Sequence, residues 1–187
     1  MYYDPYLAHY GVKGMKWGVR RYQNEDGTLT AKGRKRYRDS NGFLTPEGRK
    51  QRAKNDHRLY QKSQEVRKKI SEDKAYKRAQ QELKSARDKN RENYAKTVDD
   101  YLSGKDFQGM TYDQFKEAAY DRWASSVEGK REAKAGVDFF KVLSQKVHDE
   151  LGDEVFNQSL PELSWSSNKT LGEDIIRRIY NDEWYRK

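Results

Sequence analysis

The stretch from Arg49 to Ser103 contains neither glycine nor proline, and this constrains the fold more than any other feature. Lys, Arg, Gln, Glu and Ala dominate the stretch, and these are good helix formers. Pro46 suits a first helical turn, so residues 46–104 are predicted to be helical. Ser71-Glu72-Asp73-Lys74 could cap a second helix. A helical hairpin broken near residue 71 and one continuous helix of about 80 Å are therefore the two alternatives.

A narrow, coiled-coil-like seam runs along this stretch, because apolar and small residues recur at every third or fourth position. Its members are Tyr76, Ala79, Leu83, Ala86, Asn90, Tyr94, Val98 and Tyr101. Ordinary packing within a bundle is our preferred interpretation of the seam. The alternative is a homodimer through the Tyr76–Tyr101 seam, with Asn90 setting the register.

Residues 105–187 are predicted to form a small helical domain. Thr111 and Gln114 form a capping-box pattern, and Thr170 with Glu173 predicts the start of a last helix. Between them, a helix is expected from about residue 130 to Gly152, with apolar residues Val137, Phe140, Val142, Leu143 and Val147. Signals for strands are weak throughout. We therefore expect an all-α fold with a basic N-terminal arm, a long helix or helical hairpin, and a small C-terminal bundle.

The composition limits the classes of protein to consider. Only 34% of the 187 residues are hydrophobic, and there is no cysteine, which excludes disulfides and thiolate metal sites. No apolar run approaches the roughly 20 residues needed to cross a bilayer, so no membrane partner is expected. Residues 1–10 lack the pattern of a signal peptide, which makes a cytoplasmic location the expectation.

The charge is distributed unevenly along the chain. The formal net charge is +9, yet residues 1–98 hold 26 Lys and Arg against 12 Asp and Glu. The remaining residues hold 13 basic against 18 acidic side chains. A basic first half joined to a mildly acidic second half predicts an arm that faces either a polyanion, DNA or RNA, or an acidic partner.

Residues 1–45 are predicted to form a basic arm, and an internal repeat begins within it. The segment Asp26–Tyr37, "DGTLTAKGRKRY", returns fifteen residues later as Asn41–Arg52, "NGFLTPEGRKQR". Asp-Gly and Asn-Gly favour turns, and the Thr that follows each pair suits a helix N-cap. Each copy therefore predicts a turn that leads into a short basic helix.

The segment Gly11–Tyr22, "GVKGMKWGVRRY", combines glycines with basic and aromatic residues. This combination is used to contact phosphates while aromatic rings stack on bases. The alternative is a hydrophobic plug that docks the N-terminus onto a helix. With the basic run that follows, we predict binding of nucleic acid or a partner by Lys13, Lys16, Trp17, Arg20, Arg21, Tyr22, Arg34, Lys35, Arg36, Arg38, Arg49, Lys50 and Arg52.

Catalytic patterns are weak. His9, His57 and His148 are widely separated and lack metal-ligand spacing, so neither a metal nor a cofactor is expected. Glu132-Ala133-Lys134 matches a minimal nuclease element, but it falls in a predicted helix rather than on a strand. The chain is therefore not expected to be an enzyme, and a virion-delivered nuclease or toxin is the remaining enzymatic alternative.

Residues 8–37, "AHYGVKGMKWGVRRYQNEDGTLTAKGRKRY", resemble a short module that recurs in bacteriophage and prophage proteins of Gram-positive bacteria. The module is attached to otherwise dissimilar chains, among them head-associated and minor structural proteins. The resemblance implies a phage context and a shared partner, such as a capsid component or the packaged genome. It implies no catalytic activity.

Together these observations predict a phage-encoded interaction protein, associated with the virion or its nucleic acid, that binds through the basic arm. The alternative is an anti-defence inhibitor of the anti-CRISPR type, which would bind a host nuclease complex or its guide RNA or DNA. The expected location is the host cytoplasm or the virion.

Overall fold

A computed structural model describes residues 22, 24, 28–104, 109–165 and 170–185. Within these residues the fold is all-α, as the sequence predicted, and only isolated bridges have extended pairing. The described residues form six helices, in chain order: α1 (Ala31–Tyr37), α2 (Pro46–Ile70), α3 (Lys74–Leu102), α4 (Tyr112–Ser125), α5 (Val127–Phe156) and α6 (Leu171–Tyr185).

The helical stretch 46–104 is divided into α2 and α3 by a short break. Asp73 is the N-cap of α3, and its Oδ1 accepts hydrogen bonds from the backbone N–H groups of Ala75, at 2.8 Å, and Tyr76, at 3.1 Å. These bonds satisfy two of the donors that a helix start leaves without a partner. The two helices then diverge in their packing, because α2 lies mainly against α6 and α3 mainly against α5.

Four helix starts predicted from capping patterns are confirmed, whereas α3 is capped by Asp73 and Ser71 is instead the C-cap of α2. Thr30 and Thr45 cap α1 and α2, and Thr111 forms the predicted capping box with Gln114 at the start of α4. Thr170 and Glu173 exchange hydrogen bonds at the start of α6. Gly152, with a φ of 70°, interrupts α5 near its predicted end, and one further turn follows.

One core joins the two segments 46–104 and 105–187. Tyr76 of α3 packs on Phe139 of α5 with ring centroids 5.5 Å apart, and both side chains are buried. Helices α2 and α6 complete this core around the α3–α5 contact. Its buried members are Val66, Ile70, Tyr76, Leu83, Phe139, Leu143, Val147, Ile175, Ile176 and Ile179.

The predicted seam of α3 is used inside the chain. Tyr76 and Leu83 lie in the core, and Asn90 is buried, where its side-chain amide donates to Glu132 of α5. Farther along, Tyr94 packs edge-on against Trp123, with ring centroids 5.9 Å apart. These contacts are the bundle packing that the sequence favoured. The homodimer through the same seam stays a prediction.

Buried charges are paired where α3 meets α5 and α6. Glu183 accepts a hydrogen bond from Gln80 at 2.7 Å and forms an ion pair with Arg67 of α2. Arg87 donates to the backbone carbonyl of Glu183 at 3.0 Å. Since an isolated buried charge is costly, these partners make the position of α6 specific.

None of the helices in the described part of the chain is long and apolar enough to cross a membrane.

The shared core predicts a large loss of stability when Phe139 is truncated. Phe139 is 0% exposed, so Phe139→Ala should lower the free energy of unfolding by about 3–5 kcal/mol. Val137, two residues earlier and 54% exposed, provides the control, and Val137→Ala should change stability by about 0.5 kcal/mol or less. Urea denaturation followed by circular dichroism measures both. Equal losses in the two variants would contradict the assignment of the core face.

The ion pair between Asp73 and Lys146 predicts a dependence of stability on pH. The Lys146 ammonium lies 2.8 Å from Asp73 Oδ2 and, with the capping bonds, holds the pKa of Asp73 below its ordinary value. A lowered pKa in the folded state stabilises the fold above the ordinary pKa of aspartate. This stabilisation is lost as the pH falls through the lowered value.

Asp73→Asn should therefore unfold at a lower temperature than the unmodified chain at neutral pH, because asparagine keeps the cap but loses the ion pair. The difference should shrink as the pH becomes strongly acidic. Asp88→Asn, at an exposed position of α3, should show a smaller difference at neutral pH. A difference for Asp73→Asn that is constant across pH would show that its carboxylate charge has no part in stability.

Candidate nucleic-acid interface

The basic region around α1 and α2 is built from a fifteen-residue unit that occurs twice, as Tyr22–Arg36 and Tyr37–Gln51. The repeat therefore begins at Tyr22 rather than at Asp26, because each unit starts with a tyrosine. The two units share a Tyr, an Asn or Asp two residues later, a Gly, a Leu-Thr pair and a Gly-Arg-Lys triplet. The equal spacing of the tyrosines was the signal that sequence reasoning missed.

Equivalent hydrogen bonds recur in the two units. Tyr22 O accepts from the backbone N–H of Thr30 at 3.1 Å, and Tyr37 O accepts from that of Thr45 at 3.0 Å. The hydroxyl of each threonine accepts from the N–H of the glycine three residues later, at 3.1 Å in both units. The repeat in sequence is therefore a repeat in geometry, and α1 and α2 begin in the same way.

The glycine of each unit allows a close approach of two backbones. A methyl group at Gly33 would collide with the carbonyl oxygen of Tyr22, and one at Gly48 would collide with that of Tyr37. Because these neighbours are backbone atoms, they cannot move aside as a flexible side chain could. The glycine thus allows the helix that carries the following Arg-Lys pair to lie directly against the backbone of the tyrosine.

The side chain of Tyr22 is partly buried against other residues of the repeat. Its ring packs edge-on against Tyr37 at 5.8 Å, and the Arg36 guanidinium lies 4.7 Å from the ring centroid. Arg36 also donates to the Tyr22 hydroxyl at 2.8 Å, and this hydrogen bond raises the pKa of Arg36. Part of the Tyr22 ring is therefore committed to packing and to holding Arg36 in place.

The other predicted basic residues divide into two groups. Arg38 donates to the Gly42 carbonyl at 2.8 Å, Arg49 donates to the Leu44 carbonyl at 2.9 Å, and the Arg52 guanidinium lies over the ring of Trp165. Each keeps further N–H groups for a ligand, since a guanidinium carries five. The side chains of the second group are exposed and are contacted by no described hydrogen-bond partner: Arg34, Lys35 and Lys50.

Acidic residues neutralise one end of α2 and leave the other end positive. Near the C-terminus of α2, Arg67 pairs with Glu183, and Lys69 pairs with Glu150. The exposed basic residues of α1 and of the first half of α2 pair with no carboxylate among the described residues. We call this set the basic surface: Lys32, Arg34, Lys35, Arg36, Arg49, Lys50, Lys54 and Arg58.

Five of the residues predicted to bind lie outside the described residues: Lys13, Lys16, Trp17, Arg20 and Arg21. Trp165 is exposed and lies against Arg52, and it was not among the residues that the sequence predicted to bind. No group of three or more His, Asp or Glu in the described part of the chain could hold a metal ion. Glu132 lies in α5 and is buried against Asn90.

Comparison with known proteins adds one match. A model of a family of unknown function (DUF7211) matches residues 2–24, a small share of the chain. No curated protein and no solved structure matches the chain. The interface therefore has to be interpreted from its own geometry.

The close approach at Gly48 predicts an unusual response to alanine. Glycine to alanine within a helix ordinarily stabilises by up to about 1 kcal/mol. Gly48→Ala should instead destabilise by about 1–3 kcal/mol, because the added methyl overpacks against the Tyr37 carbonyl. Lys50→Ala, at an exposed position two residues later, is the control and should be nearly neutral. Thermal denaturation measures both, and stabilisation by Gly48→Ala would contradict the close packing of the two units.

Proposed function

We propose that this chain is a phage-encoded, non-enzymatic protein that binds the phosphate backbone of nucleic acid on its basic surface. The observation that carries the proposal is the set of exposed positive side chains on α1 and the first half of α2 that form no ion pair with a described carboxylate. Nearer the C-terminus of α2, by contrast, Arg67 and Lys69 form ion pairs with Glu183 and Glu150.

The spacing of the side chains suits a phosphate backbone. Residues 49–58 of α2 span about 14 Å along the helix axis. Duplex DNA carries one charge per about 1.7 Å of its axis, so several phosphates fall within that length. The buried positions of α2, among them Asn55 and Leu59, face the rest of the chain. The solvent face of α2 is therefore available to a long polyanion.

The repeat supports binding that is independent of base sequence. Arg34 and Lys35 of the first unit correspond to Arg49 and Lys50 of the second, in the same position after an N-cap and a glycine. Point charges held in this way contact phosphates, which carry no sequence information. The resemblance of residues 8–37 to a phage module supports the proposed setting, in the virion or with its nucleic acid in the host cytoplasm.

The salt dependence of binding tests the proposal. We expect the full chain to bind oligonucleotides of mixed sequence with an affinity that falls steeply as salt rises, measured by fluorescence anisotropy. Replacing four exposed basic residues of the repeat by glutamine should weaken binding and reduce the slope of log K against log salt by roughly 0.7–0.9 for each phosphate that the variant no longer neutralises. The four are Arg34, Lys35, Arg49 and Lys50.

The matched control removes four positive charges elsewhere. Its glutamine replacements are at exposed residues of α4 and α5: Lys116, Lys130, Arg131 and Lys134. Because both variants have the same net charge, a specific effect of the repeat appears as a difference between them. Equal weakening in both would indicate only a general effect of net charge. Absence of binding at low salt by the unmodified chain would overturn the proposal and leave a capsid or host defence protein as the partner to test.

A further inference from the structure

A segment following α5, residues 159–165, lies across the first half of α2 and contacts the repeat. Asn55 of α2 donates from its side-chain amide to the Leu163 carbonyl at 2.8 Å, and the Trp165 backbone N–H donates to Asp56 at 3.0 Å. Leu163 is buried in a small cluster with Leu29 and Tyr37 of the repeat. The C-terminal half of the chain thus supplies part of the surface around the basic residues.

These contacts hold the backbone of Trp165 while its side chain stays outside the core. The residue is 72% exposed, and the Arg52 guanidinium lies 4.0 Å from the centroid of its ring. Since Arg52 covers only part of the indole, most of the residue remains open to a ligand. An arginine against an aromatic ring is itself a favourable cation–π contact, which restricts the orientation of the indole.

A large exposed aromatic ring against an arginine of the helix that also carries exposed basic residues is a combination that binds single-stranded nucleic acid. Bases of a single strand expose their faces and stack on aromatic side chains, while basic residues follow the backbone. In a duplex the base faces are covered by their neighbours, and exposing one costs a few kcal/mol. Phosphate contacts alone would not distinguish the two forms so sharply.

We propose that Trp165 is a base-stacking residue, so that the basic surface and Trp165 together select single-stranded nucleic acid over duplex. This inference rests on the proposed function, because the stacked base belongs to a strand whose phosphates lie on the basic surface. Arg52 holds the indole in place from one side, and the base occupies the remaining exposed ring surface. Stacking on the Trp165 ring gives the preference for a single strand, and the charges of the basic surface give the salt-dependent part of the affinity.

The test compares the affinity of the full chain for a mixed-sequence single strand with its affinity for the corresponding duplex. Trp165→Ala should weaken binding of the single strand by about fivefold to about 150-fold, the range expected for the loss of one stacked base. Duplex binding should change by less than about twofold. Trp165→Phe, which keeps an aromatic face, should restore most of the single-strand affinity, and Trp165→Leu should not.

The matched control is Tyr112→Ala. Tyr112 is a similarly exposed aromatic residue, at 68%, but it lies at the start of α4, where its ring packs against Phe115. Tyr112→Ala should leave both affinities unchanged. An unaltered thermal midpoint in Trp165→Ala is also expected, because the segment is held by backbone groups and by Leu163.

The outcomes separate the two proposals. Equal weakening of single-strand and duplex binding in Trp165→Ala, or no weakening of either, would overturn the stacking role while the salt-dependent binding of the unmodified chain stood. A loss restored by leucine as well as by phenylalanine would show that apolar bulk, not stacking, is what matters, and would also overturn it. No binding of either nucleic acid by the unmodified chain would overturn both proposals.

Discussion

The packing of Tyr76 on Phe139 is the interaction on which the rest of the structure depends. Only 34% of the chain is hydrophobic, so two independent cores of useful size cannot be built from it. The described residues instead form one large core, in which α3 and α5 meet around these two rings and α2 and α6 complete the packing, and one small cluster around Leu163. Because α2 belongs to this core, its first half is held in a fixed position although most of its surface is polar.

The acidic second half of the chain forms ion pairs with some basic residues of the first half and not with others. Carboxylates of α5 and α6 form ion pairs with Arg67, Lys69 and Arg87. In the part of the chain that the structure covers, no acid forms an ion pair with the exposed basic residues of α1 and the first half of α2. Folding therefore concentrates positive charge at one end of α2, and the charge asymmetry of the sequence becomes a local surface. This concentration of charge is the basis of the proposed function.

The two repeat units and the 159–165 segment give this surface its shape. Within each unit, the tyrosine carbonyl, the threonine cap and the glycine fix the start of a helix and the direction of its Arg-Lys pair. The 159–165 segment then adds Leu163 beneath the repeat and Trp165 beside it. Residues more than 100 positions apart in sequence thus form one surface, and the aromatic ring in it comes from the half that the charge pattern did not implicate.

The sequence by itself determined the all-α class, the starts of α1, α2, α4 and α6, and the interruption at Gly152. These depend on interactions over three or four residues, such as the bond between Thr45 and Gly48, and a local interaction can be read from neighbouring letters. Only the tertiary structure decided that Phe139 and not Phe140 enters the core, that Asn90 faces Glu132, and that Trp165 lies beside Arg52. Each of these depends on which distant helix or loop packs against the residue. Which distant element packs against a residue depends on how the few apolar side chains of the whole chain are buried together. A short segment of sequence therefore does not determine these contacts.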